Sequence, residues 1–282
     1  MKKTMVAALT AAGTAAVAAA SVPFFRKQNT DLSASHYVFR SPKVRGALEG
    51  FRITQVSDLH NREYGQDNCM LLALTEAQLP DLIVITGDLL DSYRPNRKLA
   101  LSAAERLAKL APCCYVTGNH EHRLSAQGLT EFCRDLEGVG VRVLRDEAMM
   151  LGLGTGLRLI GLDATHGNAE VLQTLMEDRP AGELNILLSH DPKFAASYER
   201  AGVDLVLTGH AHGGQWRLPG GVGLYAPGQG PFPRYTGGAY RLGKTVLYVS
   251  RGLGNSCFPL RLNNKPELVT VILRGQGAFS EQ

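Results

Sequence analysis

Apolar and polar positions change period in a regular way from Phe51 onward. FRITQVSD (51–58) alternates as a half-buried strand does, and CMLLALTEAQ (69–78) has helical spacing. DLIVIT (81–86) is an unbroken apolar run between Pro80 and Gly87, which suits a strand covered on both faces. NRKLALSAAERLAKL (96–110) predicts a helix, CCYVT (113–117) a strand and SAQGLTEFCRDLEG (125–138) a further helix. Strand–helix alternation at this spacing predicts βαβ units around a parallel sheet, an α/β fold.

The middle of the chain is richer in strands. VRVL (141–144), MMLGL (149–153) and LRLIGLDA (157–164) come in succession, with GTG (154–156) as a hairpin turn between the last two. A helix around 168–178 precedes the apolar strands LNILLSH (184–190) and DLVLTGH (204–210), which flank the helical PKFAASYERAG (192–202). Residues 213–238 are rich in glycine and proline, and AYRLGKTVLYVS (239–250) and ELVTVILR (267–274) read as strands. Residues 29–49 have no strong period and form an extended lead-in. There is no internal repeat and no second core behind a linker. A single catalytic domain is expected over 50–275, with a short tail at 276–282.

Composition adds little except at the N-terminus. The 282 residues are 44% apolar and 20% charged, as in an ordinary globular protein. The excess of 30 basic over 26 acidic residues is carried by Lys2, Lys3, Arg26 and Lys27, so the folded body is neutral and no nucleic-acid partner is expected. Between those pairs, Thr4 to Phe25 is uncharged and dominated by alanine. Residues 1–28 read either as a secretory signal peptide with an A-x-A site at Ala18–Ala20 or as an uncleaved membrane anchor. An alanine-rich cytosolic helix is the third reading. The five cysteines (Cys69, Cys113, Cys114, Cys133, Cys257) are odd in number and form no C-x-x-C pair. They read as buried free thiols, which argues against a strongly oxidising compartment and sits awkwardly with export.

The chemistry lies in where polar residues fall. Apolar strands end in Asp58 and His60, in Asp88 and Asp91, in Asn119 and His120, in His190, and in His210 and His212. Ligands of α/β sheets bind beyond the carboxyl ends of strands, so five strand ends aim side chains at one crevice. One aspartate after a strand is ordinarily a cap or turn residue, and one histidine a structural group. Five coincidences at successive strand ends point instead to a site. Carboxylates, an amide and imidazoles without thiolates suit Mn²⁺, Fe or Zn²⁺ in a catalytic setting. The seven candidates Asp58, His60, Asp88, Asn119, His190, His210 and His212 exceed what one ion needs. Two ions sharing a carboxylate would use them all and suit hydrolysis of a phosphate ester. If residues 210–212 continue their strand, His210 and His212 share one face and can lean toward two neighbouring ions.

In order, D-x-H (58–60), G-D-x-x-D (87–91), G-N-H-E (118–121), the single His190 and G-H-x-H (209–212) resemble the calcineurin-like metallophosphoesterases. The stretches GHAHGGQWRLP and YVSRGLGNS are similar to a bacterial membrane-associated or exported subgroup of that family. The resemblance implies a single-domain sandwich of two mixed sheets flanked by helices, and two divalent ions, Mn²⁺ first among the candidates. It implies that Asp58, His60 and His212 hold one ion, that Asn119, His190 and His210 hold the other, and that Asp88 bridges. His120 would stabilise the phosphoryl group and protonate the leaving oxygen, a metal-bridging hydroxide would attack, and Asp91 would orient a histidine. Ala211 stands where many relatives have threonine. His122 reads as a solvated loop residue, and Trp216, Arg217 and Arg251 either line the substrate side or pack surface loops.

The expected activity is cleavage of a phosphoester or pyrophosphate bond, on a phosphorylated small molecule or a lipid-linked substrate. A general phosphodiesterase acting on small or nucleotide substrates is the alternative within the enzyme reading. A non-catalytic binding scaffold is the alternative outside it, although no ligand is missing. A monomer is expected, attached to the cytoplasmic membrane or exported across it, with the catalytic domain outside the cytoplasm.

Overall fold

The continuous apolar runs predicted as strands are covered on both faces because each lies between a helical layer and a second sheet. The computed structural model describes residues 21–152, 154, 156–163, 169–255 and 258–276. One six-stranded sheet runs β1 (Ser33–Arg40), β14 (Glu267–Arg274), β2 (Arg52–Val56), β3 (Leu82–Thr86), β4 (Cys113–Val116) and β5 (Val141–Val143). The other runs β12 (Gly238–Leu242), β13 (Thr245–Val249), β9 (Leu205–Thr208), β8 (Leu184–Leu188), β7 (Leu157–Gly161) and β6 (Glu147–Met150), while β10 (Tyr225–Ala226) and β11 (Gly230–Pro231) pair only with each other. Strands β2 to β5 are mutually parallel, as are β13, β9, β8 and β7; β14 is antiparallel to β2, and β12 and β6 are antiparallel to their neighbours. These are mixed sheets in one α/β sandwich, the architecture the motifs implied.

The period of two assigns each side chain its layer. In β3, Leu82 and Val84 join the core between the sheets, while Ile83 and Ile85 pack under the helices Cys69–Glu76, Arg97–Ala108 and Ala126–Gly138. In β9, Leu205 and Leu207 face the first sheet and Val206 meets the helices Ala169–Glu177 and Ala195–Ala201. Ile186 and Leu188 of β8 are fully buried between the sheets, where truncation to alanine costs about 2–5 kcal/mol. At the carboxyl end of this core the apolar filling stops. Gln55 Nε2 donates to Thr86 Oγ1 at 2.8 Å and to Thr208 O at 2.9 Å, tying the two sheets together where the ligand loops begin.

Several expectations change. The lead-in contributes β1, an eight-residue edge strand parallel to β14, so the folded body starts ahead of residue 50. AYRLGKTVLYVS is two strands, β12 and β13, folded back at Gly243, whose positive φ suits the turn. β6 and β7 do form the antiparallel pair, although Leu153 and Thr155 of their turn lie outside the described residues. Cys113, Cys114 and Cys133 are buried free thiols, but Cys69 is exposed at a helix start. Residues 1–20, Cys257, His166 and the tail from 277 also lie outside the described residues, so the signal or anchor reading is not placed structurally. Residues 21–30 are helical, and among the described residues no helix is long and apolar enough to cross a membrane.

Candidate metal centre

Strands β2, β3, β4, β8 and β9 stop two or three residues before a ligand candidate, and after β2, β3 and β9 the backbone turns through left-handed residues. Asp58, His60, Asp88, His210 and His212 all have φ between 46° and 63°. Non-glycine residues rarely adopt this region, and doing so costs on the order of 1–3 kcal/mol each. The strain serves convergence, because these turns swing five side chains into one buried pocket. His210 and His212 therefore do not continue β9: the chain turns into a short 3₁₀ segment at His212–Gly214. The expected separation of the two imidazoles still results, through paired turns and not through a shared strand face.

The convergence is tight enough to demand glycine beside it. A Cβ on Gly209 would overlap Ser57 Oγ and Asp58 Oδ2, and one on Gly118 would overlap Asp88 Oδ1. His210 N donates to both Asp58 oxygens at 3.0 and 3.1 Å, and His120 N donates to Asp88 Oδ1 at 2.8 Å.

Two clusters result. Asp58, His60 and His212 form the first, with His60 Nε2 and His212 Nε2 3.2 Å apart and His212 Nε2 3.6 Å from Asp58 Oδ1. Asp88, His190 and His210 form the second, with His210 Nδ1 3.1 Å and Asp88 Oδ2 3.2 Å from His190 Nε2. Asn119 Oδ1 joins the second cluster, 3.1 Å from His190 Nε2. Asp88 Oδ2 also lies 3.6 Å from His60 Nε2, so this carboxylate stands between the clusters.

The residues fit divalent cations. Ligand atoms at about 2.1 Å from one tetrahedral or octahedral ion stand roughly 3.0–3.4 Å apart, close to the separations here. Asp58 and Asp88 are buried, yet only imidazoles approach them within ion-pair distance among the described residues. Burial pulls His60 and His210 down to about 4 and holds His212 well below the usual histidine range, leaving three neutral imidazoles able to bind a cation. His190 differs: burial pulls it down as well, but Asp88 and Asp58 outweigh that and raise it to about 10. Burial raises Asp58, whereas for Asp88 the His190 charge overcomes burial and holds the carboxyl well below its usual range. A proton on His190 thus balances buried negative charge that a metal cation would balance better.

His120 lies outside both clusters and beside the first, its ring centroid 4.4 Å from that of His60. Ser92 N and Ser92 Oγ are each 3.1 Å from His120 Nδ1, and Asp91 Oδ1 is 3.4 Å from it. Asp91 stands close to both His120 and His60, and the three form a further group of potential ligand atoms beside the first cluster. Arg123 Nη1 stands 3.4 Å from His120 Nε2. Burial lowers the His120 pKa, favouring the neutral ring.

Sequence reasoning gave several neighbouring residues no role or a different one. Glu121 is fully buried and accepts from the backbone N–H groups of Asp88, Leu90 and Gly118 at 2.7–3.0 Å, stapling the second and third ligand loops together. Its place in G-N-H-E was the available signal. Asp191, next to His190, brings Oδ2 to 3.7 Å from His210 Nε2. Asn264 Nδ2 donates to His212 O at 2.7 Å from 52 residues away, which no local pattern reveals. His122 is not a solvated loop residue, since it is half-buried and bonded to Asp163 and Thr117. Arg217 donates to Gly213 O and Arg251 pairs with Glu267, so both pack loops.

The fold and the paired clusters define a metal-dependent phosphoester hydrolase with a binuclear divalent-metal centre. The chain belongs to the calcineurin-like phosphoesterase family, whose profile matches residues 51–214. It is 32% identical over 254 residues to the uncharacterized metallophosphoesterase YkuE of Bacillus subtilis, covering 86% of each chain. It is 30% identical over 229 residues to the phosphodiesterase YaeI of Escherichia coli, covering 79% of this chain and 82% of that one. The solved structure of Haemophilus influenzae NAD nucleotidase shares the fold, with a TM-score of 0.51 at 14% identity over 72% of this chain and 45% of that one.

Proposed function

We propose that the chain hydrolyses a phosphoester or pyrophosphate bond in a lipid-linked substrate at the cytoplasmic membrane, acting as a monomer with Mn²⁺. Asp58, His60 and His212 would hold one ion, Asn119, His190 and His210 the other, with Asp88 between them. Bound there, the ions would supply Lewis acidity to the phosphoryl oxygens and activate water for attack.

The chain's own groups do the rest. Gly118 and Gly209 let the ligand loops close without distortion, and Asp91 and Ser92 fix the His120 ring. His120 Nε2, beside Arg123, is then placed to steady the phosphoryl group and to pass a proton to the leaving oxygen. Burial of His190 and Asp88 excludes water from the deep side of the centre.

The observation that carries the substrate reading is the pocket beside the first cluster. A cavity of about 700 Å³ is lined by His60, Asp91, Arg62, Tyr93, Arg94 and Asn255 among others. Two arginines lining this pocket suit a second anionic phosphoryl group, as a pyrophosphate offers and a simple monoester or diester does not. The uncharged Thr4–Phe25 stretch supports a membrane location. The similarity to a relative named as a phosphodiesterase favours the second reading, a diesterase acting on small or nucleotide substrates.

A substrate panel with Mn²⁺-loaded full-length protein separates these readings. A lipid pyrophosphate should exceed nitrophenyl phosphate by at least about tenfold in kcat/KM, and Arg62→Ala should remove that advantage. Preference for a soluble diester would replace the lipid reading with the second one. Inactivity of fully metal-loaded protein on every substrate would point to a binding scaffold.

A further inference from the structure

The glycine- and proline-rich stretch after the metal ligands does not fold its large side chains inward. Trp216, Leu218, Val222 and Tyr225 are 41–50% exposed and Phe232 is 70% exposed. Phe258, itself 44% exposed, joins two of them: its ring centroid lies 6.4 Å from that of Trp216 and 6.3 Å from that of Tyr225. Backbone bonds from Leu224 N to Trp216 O and from Phe232 N to Leu224 O, both 2.9 Å, hold this ribbon in one piece. Phe232 has a left-handed backbone, φ 51°. That conformation is costly for a bulky residue, and here the result is a ring held out in solvent. Contiguous exposed apolar faces of this kind mark an interaction surface.

The loop carrying Phe258 joins this face to two other features. Its Asn255 and Pro259 line the pocket beside the metal centre. Asn255 Nδ2 also donates to Asn29 Oδ1 at 3.0 Å, and Arg261 N donates to the same oxygen at 3.1 Å. Asn29 lies at the end of the helical residues 21–30, whose Val22 and Phe24 are 65% and 48% exposed. The helical residues 21–30 thus join the body at the loop that carries Phe258. Residues 1–30, 213–238 and 251–265 contain lysine or arginine but no aspartate or glutamate, and Arg26 and Arg234 are exposed among them.

We propose that the Trp216–Tyr225–Phe232–Phe258 face docks on an anionic phospholipid bilayer, with the metal-site pocket opening at the lipid surface. Tryptophan and tyrosine suit the headgroup level, where an apolar ring meets a polar edge. Cations around apolar rings match anionic headgroups. Stable membrane association takes two signals, and the alanine-rich N-terminal stretch and this face would be the two. The proposal rests on the membrane-proximal placement above, but its test involves no turnover and so stands or falls separately from the hydrolase reading.

Trp216 is the only tryptophan of the chain, so its emission reports on this face alone. Full-length protein would be mixed with vesicles of phosphatidylglycerol and phosphatidylcholine, with and without brominated acyl chains. The expected result is a blue shift of Trp216 emission and quenching by the brominated lipid, both weaker on phosphatidylcholine alone. Phe232→Glu should weaken vesicle affinity on the order of tenfold, with metal content and turnover of soluble nitrophenyl phosphate unchanged. Protein that floats with the vesicles while Trp216 emission stays unshifted and unquenched would overturn the proposal, leaving the N-terminal stretch as sole anchor. Wild-type quenching in Phe232→Glu would overturn it as well. So would a blue shift on concentrating the protein without lipid, accompanied by a doubling of particle mass, since the face would then join two copies of the chain.

Discussion

The two ligand clusters use the same side-chain types but are braced differently. In the second, His190 Nδ1–H donates to Thr86 O at 2.8 Å, which leaves Nε2 for a cation, and Asp191 stands by His210. In the first, Nδ1 of His60 and of His212 is buried without a hydrogen-bond partner among the described residues, and His60 forms part of the pocket wall. The second cluster is thus the more firmly braced, and the first borders the pocket and His120. Metal affinity should be unequal between them, because groups that orient a ligand imidazole raise affinity by about 10–100-fold.

This contrast can be broken most severely at the residue both clusters share. Asp88→Ala should abolish turnover, by more than about a thousandfold, and reduce the metal content of both clusters. Retention of one tightly bound ion would show that Asp88 serves one cluster only. His120→Ala should lower kcat by about 10²–10⁴-fold with metal content intact, measured on the same preparation. Normal turnover would remove His120 from the chemistry.

Asp191→Asn should sharpen the contrast, weakening the second ion by about tenfold in a chelator competition while the first ion is held as before. The smallest effect lies away from the metals. Burial opposes the Asp163 charge, but bonds from His122, Thr117 and Arg145 outweigh it and hold the carboxyl well below its usual range. A depressed folded-state pKa gives stability above the unfolded value of about 3.9, lost as pH falls below it. Asp163→Asn should therefore cost about 1–3 kcal/mol at neutral pH by denaturant titration, with the difference shrinking below about pH 4.

Much of this was legible because strands in such folds announce themselves twice, by an apolar run and by the polar residues at its carboxyl end. DLIVIT and DLVLTGH predict both the strand and the residues at its tip, and all seven ligand candidates converge. Backbone conformation and distant partners are hidden from such a pattern. Nothing in GHAH distinguishes a continuing strand from two left-handed turns, because side-chain type does not report φ. The surroundings of His122 are hidden from the local pattern because its partner Asp163 is 41 residues away. β1 was read only as extended because an edge strand with half-exposed faces carries little periodicity. The stretch 213–238 looked like loop, and its exposed aromatic face emerges only when Phe258 is brought beside Trp216 and Tyr225.

The central claim is that the two clusters each hold one ion, independently enough to be emptied separately. Counting metal by elemental analysis in Mn²⁺-reconstituted wild type and His212→Ala tests it most directly. The account predicts about two ions per chain in wild type and about one in His212→Ala, the survivor lying in the Asp88–His190–His210 cluster. A single ion in wild type, or an undiminished count in His212→Ala, would contradict it.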